Sequence, residues 1–472
     1  MKRYSYALAA ALVLAAPCWL SGAPTASTVL ILVNDQCPAE DGTGTAGASV
    51  YVGQYYAQKR GVPSRNMVHL NTPCVASLSF ADFDTLVRKP VKTFLETRGL
   101  KSTVKYIVTT YGVPYIVTYT TLPAGFSQQL SLDAFLTSMY ASYANMAYQT
   151  NPYAVSDAVN YKMHIRDWNN PQGWPMYLVT RLDGPSALIA TGLVDKAMAA
   201  ESGLALNSGY GYFDQRTGDW PDPSVSNAYN LATARGFSST LNINYGDNNL
   251  MIHSAPNALW AWGWYSGNAD WPGYQFVTGA VGAQLTSYTA LNIRNAAAVG
   301  GWVPLWLSEG ITATWGTTDE PWTTGYALGD NLLNHFWQGY NFAESAYLAC
   351  PSVNWTMVFV GDPLYAPRIF AAGGLTPASR SSVVITPGNQ QYVSGIIQAT
   401  AVIPPGVQAA SVQFVAAGGS LGPALTSPPY SIEVDTSSVV LGPVLFWVVV
   451  TDSAGKTQAS DPVPVLIYNP QP

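Results

Sequence analysis

Charge is scarce in this sequence. Lys and Arg total 21 and Asp and Glu 27 among 472 residues, so charged side chains are only 10% of the chain. The net charge of -6 leaves no basic footprint, and nucleic acid is excluded as an expected partner. No block of like charges could serve as an acidic tail or a polybasic anchor. Histidine is limited to His69, His164, His253 and His335, none near another in sequence. There is no His-Glu-x-x-His zinc helix and no Gly-x-Ser-x-Gly elbow, which removes two common hydrolase signatures. Beyond the amino terminus no apolar run reaches membrane-spanning length.

What is present is apolar residues, at 48%, enough for two or three domains. The first 26 residues read as a secretory signal, with Lys2 and Arg3, an apolar stretch from Ala7 to Ala16, and small residues at Ser21-Gly22-Ala23. A rival reading makes Cys18 a lipidation site, against which Pro17 stands where a small residue is wanted. Either way the chain is expected outside the cytoplasmic membrane, secreted or in the periplasm or cell envelope. Cys37, Cys74 and Cys350 then remain. Cys37 and Cys74 each follow a predicted strand closely; if those strands are parallel neighbours, the two thiols meet and bond.

Residues 28–118 alternate between strand and helix patterns. "TVLILVN" is continuously apolar, as a strand buried on both faces should be. "GASVYVGQYYAQKRG" is helical, "NMVHL" a short strand, Ser79 caps a helix to about Gly99 that Pro90 must kink, and "VKYIVTTYGVPYIV" is a third strand. Further on, "LSLDAFLTSMYASYA" and "PSALIATGLVDKAMAAES" read as helices, and "PMYLVTRLDG", "LMIHS", "LWAWGWY" and "FVTGAVGAQL" as strands. "GITATWGTT" and "WTMVFVGDP" bracket a helix from about Tyr326 to Leu348. The expected fold is α/β: a mostly parallel sheet flanked by helices over 27–370. After a small, polar linker at 371–382, five short strands with turn residues between them predict an all-β sandwich over 383–472.

Three carboxylates stand at strand ends: Asp35 after the first strand, Asp183 after "YLVTRL", and Asp362 after "WTMVFVG". The carboxyl ends of parallel strands line the crevice where ligands bind in open sheets. The three acids could hold a divalent cation or act as acid and base there. The plainer reading is turn chemistry, since Asp183-Gly184 and Asp362-Pro363 are ordinary turn pairs, and Arg181 beside Asp183 could be a structural ion pair. The candidate rim extends to Tyr111, Tyr265, Ser266, Asn268, Ser287 and Glu320. "GTGTAG" at 42–47 fits a dinucleotide pattern, but Asp35 to Asp41 separate it from the strand, so a loop is the better reading. No cofactor is required.

Several stretches in order, "STVLILVNDQCP", "VGQYYAQKRGVPSRNMVHL", "YLVTRLDGPS", "FVTGAVGAQLTSY", "SEGITATWGTTDEP" and "VFVGDPLYAPR", resemble a secreted bacterial family with no assigned activity, found in genomes with exosortase-type sorting. More distantly, the second half resembles the gingipain branch of caspase-like cysteine peptidases. That resemblance implies a strand ending in His-Gly, a strand ending near a catalytic Cys, a glycine-rich strand, a helix and a closing "GDP" strand. "LWAWGWYSGN" takes the first place, "FVTGAVGAQLTSY" the second, "SEGITATWGTT" the third and "VFVGDP" the last. Trp264, Tyr265 and Ser266 then stand where the imidazole belongs, and Thr286 and Ser287 where the thiol belongs. The dyad is expected to be missing, and Trp260, Trp262 and Trp264 to be core before they are platforms. "SPPYSIEVDTSSVVLG" and "VTDSAGKTQASDPVPVLI" resemble bacterial immunoglobulin-like repeats. The resemblances imply an envelope protein that binds or assembles with an extracellular protein or glycan. The alternative is a carboxylate- or metal-dependent hydrolase of glycan or peptide.

Overall fold

The computed structural model describes residues 3–4, 26–120, 128–151, 153–154, 176–201, 204–205, 208–218, 221–264, 273–297, 301–337, 339–367, 369–370, 382–386, 393–416, 419–437, 441–455, 457–460 and 463–468. Most of the expected signal and nearly all of the expected linker lie outside them. Arg3–Tyr4 pair in parallel with Glu433 and Val434.

A ten-stranded sheet organises residues 29–360. Its strands are β1 (Val29–Asn34), β2 (Met67–Leu70), β3 (Tyr106–Thr110), β4 (Leu178–Leu182), β5 (Tyr210–Gln215), β6 (Ser239–Ile243), β7 (Ala255–Trp264), β8 (Tyr274–Leu285), β9 (Ala313–Thr317) and β10 (Met357–Val360). Across the sheet they lie in the order β6-β5-β7-β8-β9-β10-β4-β3-β1-β2. Every neighbouring pair is parallel except β9 and β10, which are antiparallel.

β1 shows why its sequence is apolar throughout. Val29, Ile31 and Val33 pack into one core, while Leu30 and Leu32 pack into another on the opposite face. Period-two alternation sends successive side chains to opposite faces, so a strand covered on both sides must be apolar at every position. Helix Ala48–Arg60 covers the first face through Val52 and Tyr56 and ends at Gly61, whose φ of 70° suits a left-handed cap. Helix Lys89–Thr97 covers the second through Val91 and Leu95. The helical stretch after Ser79 is split by one wider turn, Asp84–Arg88, just ahead of Pro90. Proline has no N–H to donate back along the helix, and the wide turn accommodates that loss.

Trp260 and Trp262 are fully buried, as expected of a covered strand, while Trp264 at the strand's end is only partly buried against the same core. Trp260 packs edge-on against Phe237 and Trp337, and Trp262 stacks on Trp315 and donates its ring N–H to Ser224 Oγ at 3.1 Å. Gly329 lets its chain lie flat on Trp262; a Cβ there would come within 2.2 Å of the indole.

Four expectations are corrected. "VKYIVTTYGVPYIV" is two strands, β3 and Ile116–Thr118, which belongs to a separate three-stranded sheet. The break falls at Gly112, whose φ of 87° and close approach to Cys37 Sγ leave no room for a Cβ. The helix read from "LSLDAFLTSMYASYA" covers only Leu132–Thr137. "LMIHS" forms no strand, because the Ile252 amide donates to the Asp214 carboxylate instead of a ladder partner. The single helix expected at 326–348 is two, Gly329–Trp337 and Phe342–Ala349, separated by Gly339 at φ 92°.

β1 and β2 are parallel neighbours, with Asn34 opposite Leu70, and Cys37 and Cys74 just beyond them are disulfide-bonded, their Cα atoms 5.1 Å apart. The described strands between 382 and 468 pair antiparallel in two sheets around one core that includes Ile397, Phe414, Ile432 and Val448. Among the described residues no helix is long and apolar enough to cross a membrane.

The disulfide spans 37 positions, and Cys37→Ser is expected to lower stability by about 3–4 kcal/mol in denaturant unfolding. Thiol titration of the unfolded, unreduced protein should find Cys350 reactive and Cys37 and Cys74 not; reactivity at Cys37 would remove the pairing.

Candidate functional site

Strand direction decides where the candidate residues can meet. β1, β3, β4 and β10 run one way, and β7, β8 and β9 run the other, because β10 is antiparallel to β9. Asp35, Tyr111, Asp183 and Asp362 therefore follow strands that end on one edge, with Arg181 the penultimate residue of β4 beside them. Ser287 and Glu320 follow strands that end on the opposite edge. The single rim expected from the sequence is two. Tyr265, Ser266 and Asn268, which follow β7, lie outside the described residues.

On the first edge each carboxylate keeps its own partners. Asp35 meets His69 through an Oδ1–Nδ1 contact of 2.7 Å, and both side chains reach solvent. Asp183 is fully buried and accepts from Arg181 Nε at 3.0 Å, from Arg294 Nε at 3.0 Å and Nη2 at 2.8 Å, and from the Gly184 amide at 2.9 Å. Arg181, also fully buried, donates to Asp133 at 2.9 Å and to the Val113 carbonyl at 2.9 Å. Burial pushes the Asp133 carboxyl up from its ordinary range, against the pull of Arg181 and Thr109. Two arginines thus balance two aspartates in a closed array. Asp362 accepts from Tyr56 at 2.9 Å, from Arg60 Nε at 2.6 Å and from the Leu364 amide at 3.0 Å. Arg60 also reaches Glu201 at 2.6 and 2.8 Å, and burial raises the Glu201 carboxyl. The Tyr111 hydroxyl donates to Glu40, whose second oxygen accepts the Ala187 amide at 3.1 Å, at the start of helix Ala187–Glu201. Among the described residues, no group of three or more His, Cys, Asp or Glu is placed to hold a metal ion.

The second edge is built differently. Ser287 Oγ donates to Glu320 Oε2 at 2.6 Å, and the Trp322 amide donates to Oε1 at 2.8 Å. Asp319 accepts the Glu320 amide on one oxygen and the Gln128 and Gln129 amides on the other, at 2.8, 3.0 and 3.0 Å. The Tyr288 amide donates to Thr317 Oγ1 at 3.1 Å. Tyr288 and Trp322 have φ of 63° and 50° and are 45% and 54% exposed. The chain then crosses the sheet from Ser287, held at this edge, to Arg294, held by Asp183 at the other.

Sequence reasoning missed Asp133, Arg294, Arg60 and Glu201. Arg294 carried a readable signal: it is the only Lys or Arg between Arg235 and Arg368. The Cys350 thiol is buried, donates to the Ser352 carbonyl at 3.0 Å and is pushed up to about 12. His335 is buried with Nδ1 2.7 Å from the Asn331 carbonyl, and burial pushes its imidazole down to about 4. His253 is exposed and precedes β7.

No family model matches the chain, and no curated protein matches it. Solved structures do match. A complex of the pro- and mature domains of Porphyromonas gingivalis RgpB is similar over 93% of this chain and 99% of that chain, at 11% identity and a TM-score of 0.39. A structure described as a protease is similar over 94% of this chain and 97% of that chain, at 11% identity and a TM-score of 0.36. Fibronectin(III)-like modules of Clostridium thermocellum CbhA match 18% of this chain and 45% of that chain, at 19% identity and a TM-score of 0.15. At these TM-scores nothing about fold or activity passes from those proteins to this one.

Arg181→Met leaves Asp133 and Asp183 buried without their shared cation and should cost about 3–5 kcal/mol in denaturant unfolding, whereas the exposed Asp35→Asn should cost under about 0.5 kcal/mol. The unfolded His335 protonates near 6.5 and the folded one near 4, so its contribution falls as pH drops through that window. His335→Gln should flatten the stability profile between those two pH values.

Proposed function

We propose that this chain is an exported cell-envelope protein that binds its partner on a caspase-like scaffold whose Cys–His dyad is missing, with an immunoglobulin-like module behind it. The observation that carries this reading is the Ser287–Glu320 pair at the end of β8, where the peptidase resemblance calls for a thiolate. The order of blocks supports it: β7, β8, β9 and β10 lie side by side in the sequence in which the resemblance places them. A nucleophilic sulfur needs a nearby base and a lowered pKa, and the Cys350 thiol is buried and raised instead. The disulfide suits an oxidising compartment outside the cytoplasm. Association with an exosortase-type sorting system rests on the sequence resemblance alone. The partner is an extracellular protein or glycan.

A second reading, a hydrolase working through carboxylates with or without a divalent cation, is favoured by one feature. Asp35 and His69 form an exposed acid–base pair, where Asp183 and Asp362 are saturated by arginine.

The native protein, incubated with iodoacetamide at pH 8, should leave Cys350 unmodified. It should turn over no member of a peptide and glycan panel, with or without calcium or zinc. Turnover abolished by alkylation would refute the missing dyad; turnover that needs the cation and is lost in Asp35→Asn would install the second reading.

A further inference from the structure

The loop between β1 and helix Ala48–Arg60 lies across the first edge as a strap. It leaves β1 at the Cys37–Cys74 bond, passes Tyr111 beyond β3, and reaches Ala187 and Leu188 beyond β4. Glu40 makes its polar ties to that edge, accepting the Tyr111 hydroxyl on one oxygen and the Ala187 amide on the other. Gly42 rests on Leu188, where a Cβ would come within 2.9 Å of that side chain. Of residues 38–46 only Thr43 is buried, so few apolar contacts hold the strap, and the disulfide is its covalent tie. We propose that Cys37–Cys74 is a site of thiol–disulfide exchange with a dithiol, opened by attack at Cys74, and that opening it releases the strap from the edge. Such exchange does not depend on what the edge binds.

The two sulfurs stand in unlike surroundings. Cys74 is exposed, on a stretch from Asn71 to Val75 in which Thr72 alone is buried, so a thiolate reaches it without unfolding the sheet. Cys37 is only 4% exposed. Around Cys37 the structure already holds partners for a reduced sulfur. The Gly112 carbonyl, 3.3 Å away, is placed to accept from a thiol, and Asn34 Nδ2, at 3.5 Å, donates to the sulfur. Gly112 itself makes room, since a Cβ there would strike Cys37 Sγ. Exchange rates follow access to the attacked sulfur and the stability of the sulfur that leaves, and both favour attack at Cys74. One thiolate of the dithiol bonds to Cys74 Sγ, the Cys37–Cys74 bond breaks, and Cys37 leaves as a thiolate that takes up a proton. The second thiolate then attacks the mixed disulfide. Cys74 departs and is protonated in turn, and the co-reactant leaves oxidised to its own disulfide. Two electrons and two protons pass from the dithiol to the protein.

The test uses the native full chain. Glutathione, a monothiol, is added in excess, and early samples are quenched in acid, unfolded in N-ethylmaleimide and mapped by peptide mass spectrometry. Glutathione should be found on Cys74 and maleimide on Cys37; glutathione on Cys37 instead overturns the assignment. Dithiothreitol should reduce the native bridge within about a hundredfold of its rate on the unfolded, oxidised chain, because access through global unfolding alone would slow it about 10³-fold or more. Any slowing beyond a hundredfold overturns the exchange site. In the reduced native protein, hydrogen exchange at the Thr43 and Ala187 amides, both bonded to Glu40, should speed about tenfold while β3 stays protected. Cys74→Ser, which keeps the Cys37 thiol, should show the same faster exchange without any reductant. Unchanged exchange at Thr43 and Ala187 after reduction overturns the release of the strap.

Discussion

The antiparallel pairing of β9 with β10, Thr314 opposite Val360 through Thr317 opposite Met357, governs the rest of the molecule. On each side of that seam the strands run in parallel, so the sheet consists of two parallel halves joined with opposite polarity. Carboxyl ends gather loops, and two polarities give two loop-bearing edges. The acids after β1, β4 and β10 collect on one edge, and the Ser287–Glu320 pair with its exposed rings occupies the other. The seam sets Asp35, Asp183 and Asp362 on one edge and the Ser287–Glu320 pair on the other.

The two edges hold their carboxylates through different partners, arginines at the first and backbone amides and a hydroxyl at the second. At the first, Asp133, Asp183, Arg181 and Arg294 form a buried and charge-balanced array. Such an array adds little over an apolar core of equal volume, but it is intolerant of losing one member, and this gives it the character of a lock. The lock fixes the crossing segment after β8, since Arg294 is its far end. At the second edge Asp319 and Glu320 accept from backbone amides and from the Ser287 hydroxyl.

Parts of this were readable without coordinates. β1 could be recognised because burial on both faces forces continuous apolarity, and the same logic placed Trp260 and Trp262 in the core. The neighbouring ends of β1 and β2 were enough to pair Cys37 with Cys74. β5, β6 and the helix Asp222–Ala234 between them were not read at all. β6 is an edge strand, "STLNI", only partly buried along its length, so neither continuous apolarity nor clean alternation marks it. "LMIHS" misled for the converse reason: it has the composition of a strand, but the Asp214 carboxylate takes the place of a ladder partner. Of the candidate site, the individual carboxylates were legible as turn residues and Arg181 as a neighbour of Asp183, while Arg294 and Arg60 lie 111 and 302 positions from the Asp183 and Asp362 they hold.

The sequence by itself determined that β1 and the Trp260–Trp262 stretch are buried, that a helix ends at Gly61, and that Cys37 and Cys74 follow their strands closely enough to bond. Only the tertiary structure decided the polarity of β10 against β9, and with it the division of one expected rim into two. Side chains alternate with period two in a strand whether its neighbour runs parallel or antiparallel, so local pattern carries no record of direction. Direction is set by how Gly329–Trp337 and Phe342–Ala349 return the chain to the sheet, and that depends on long-range packing.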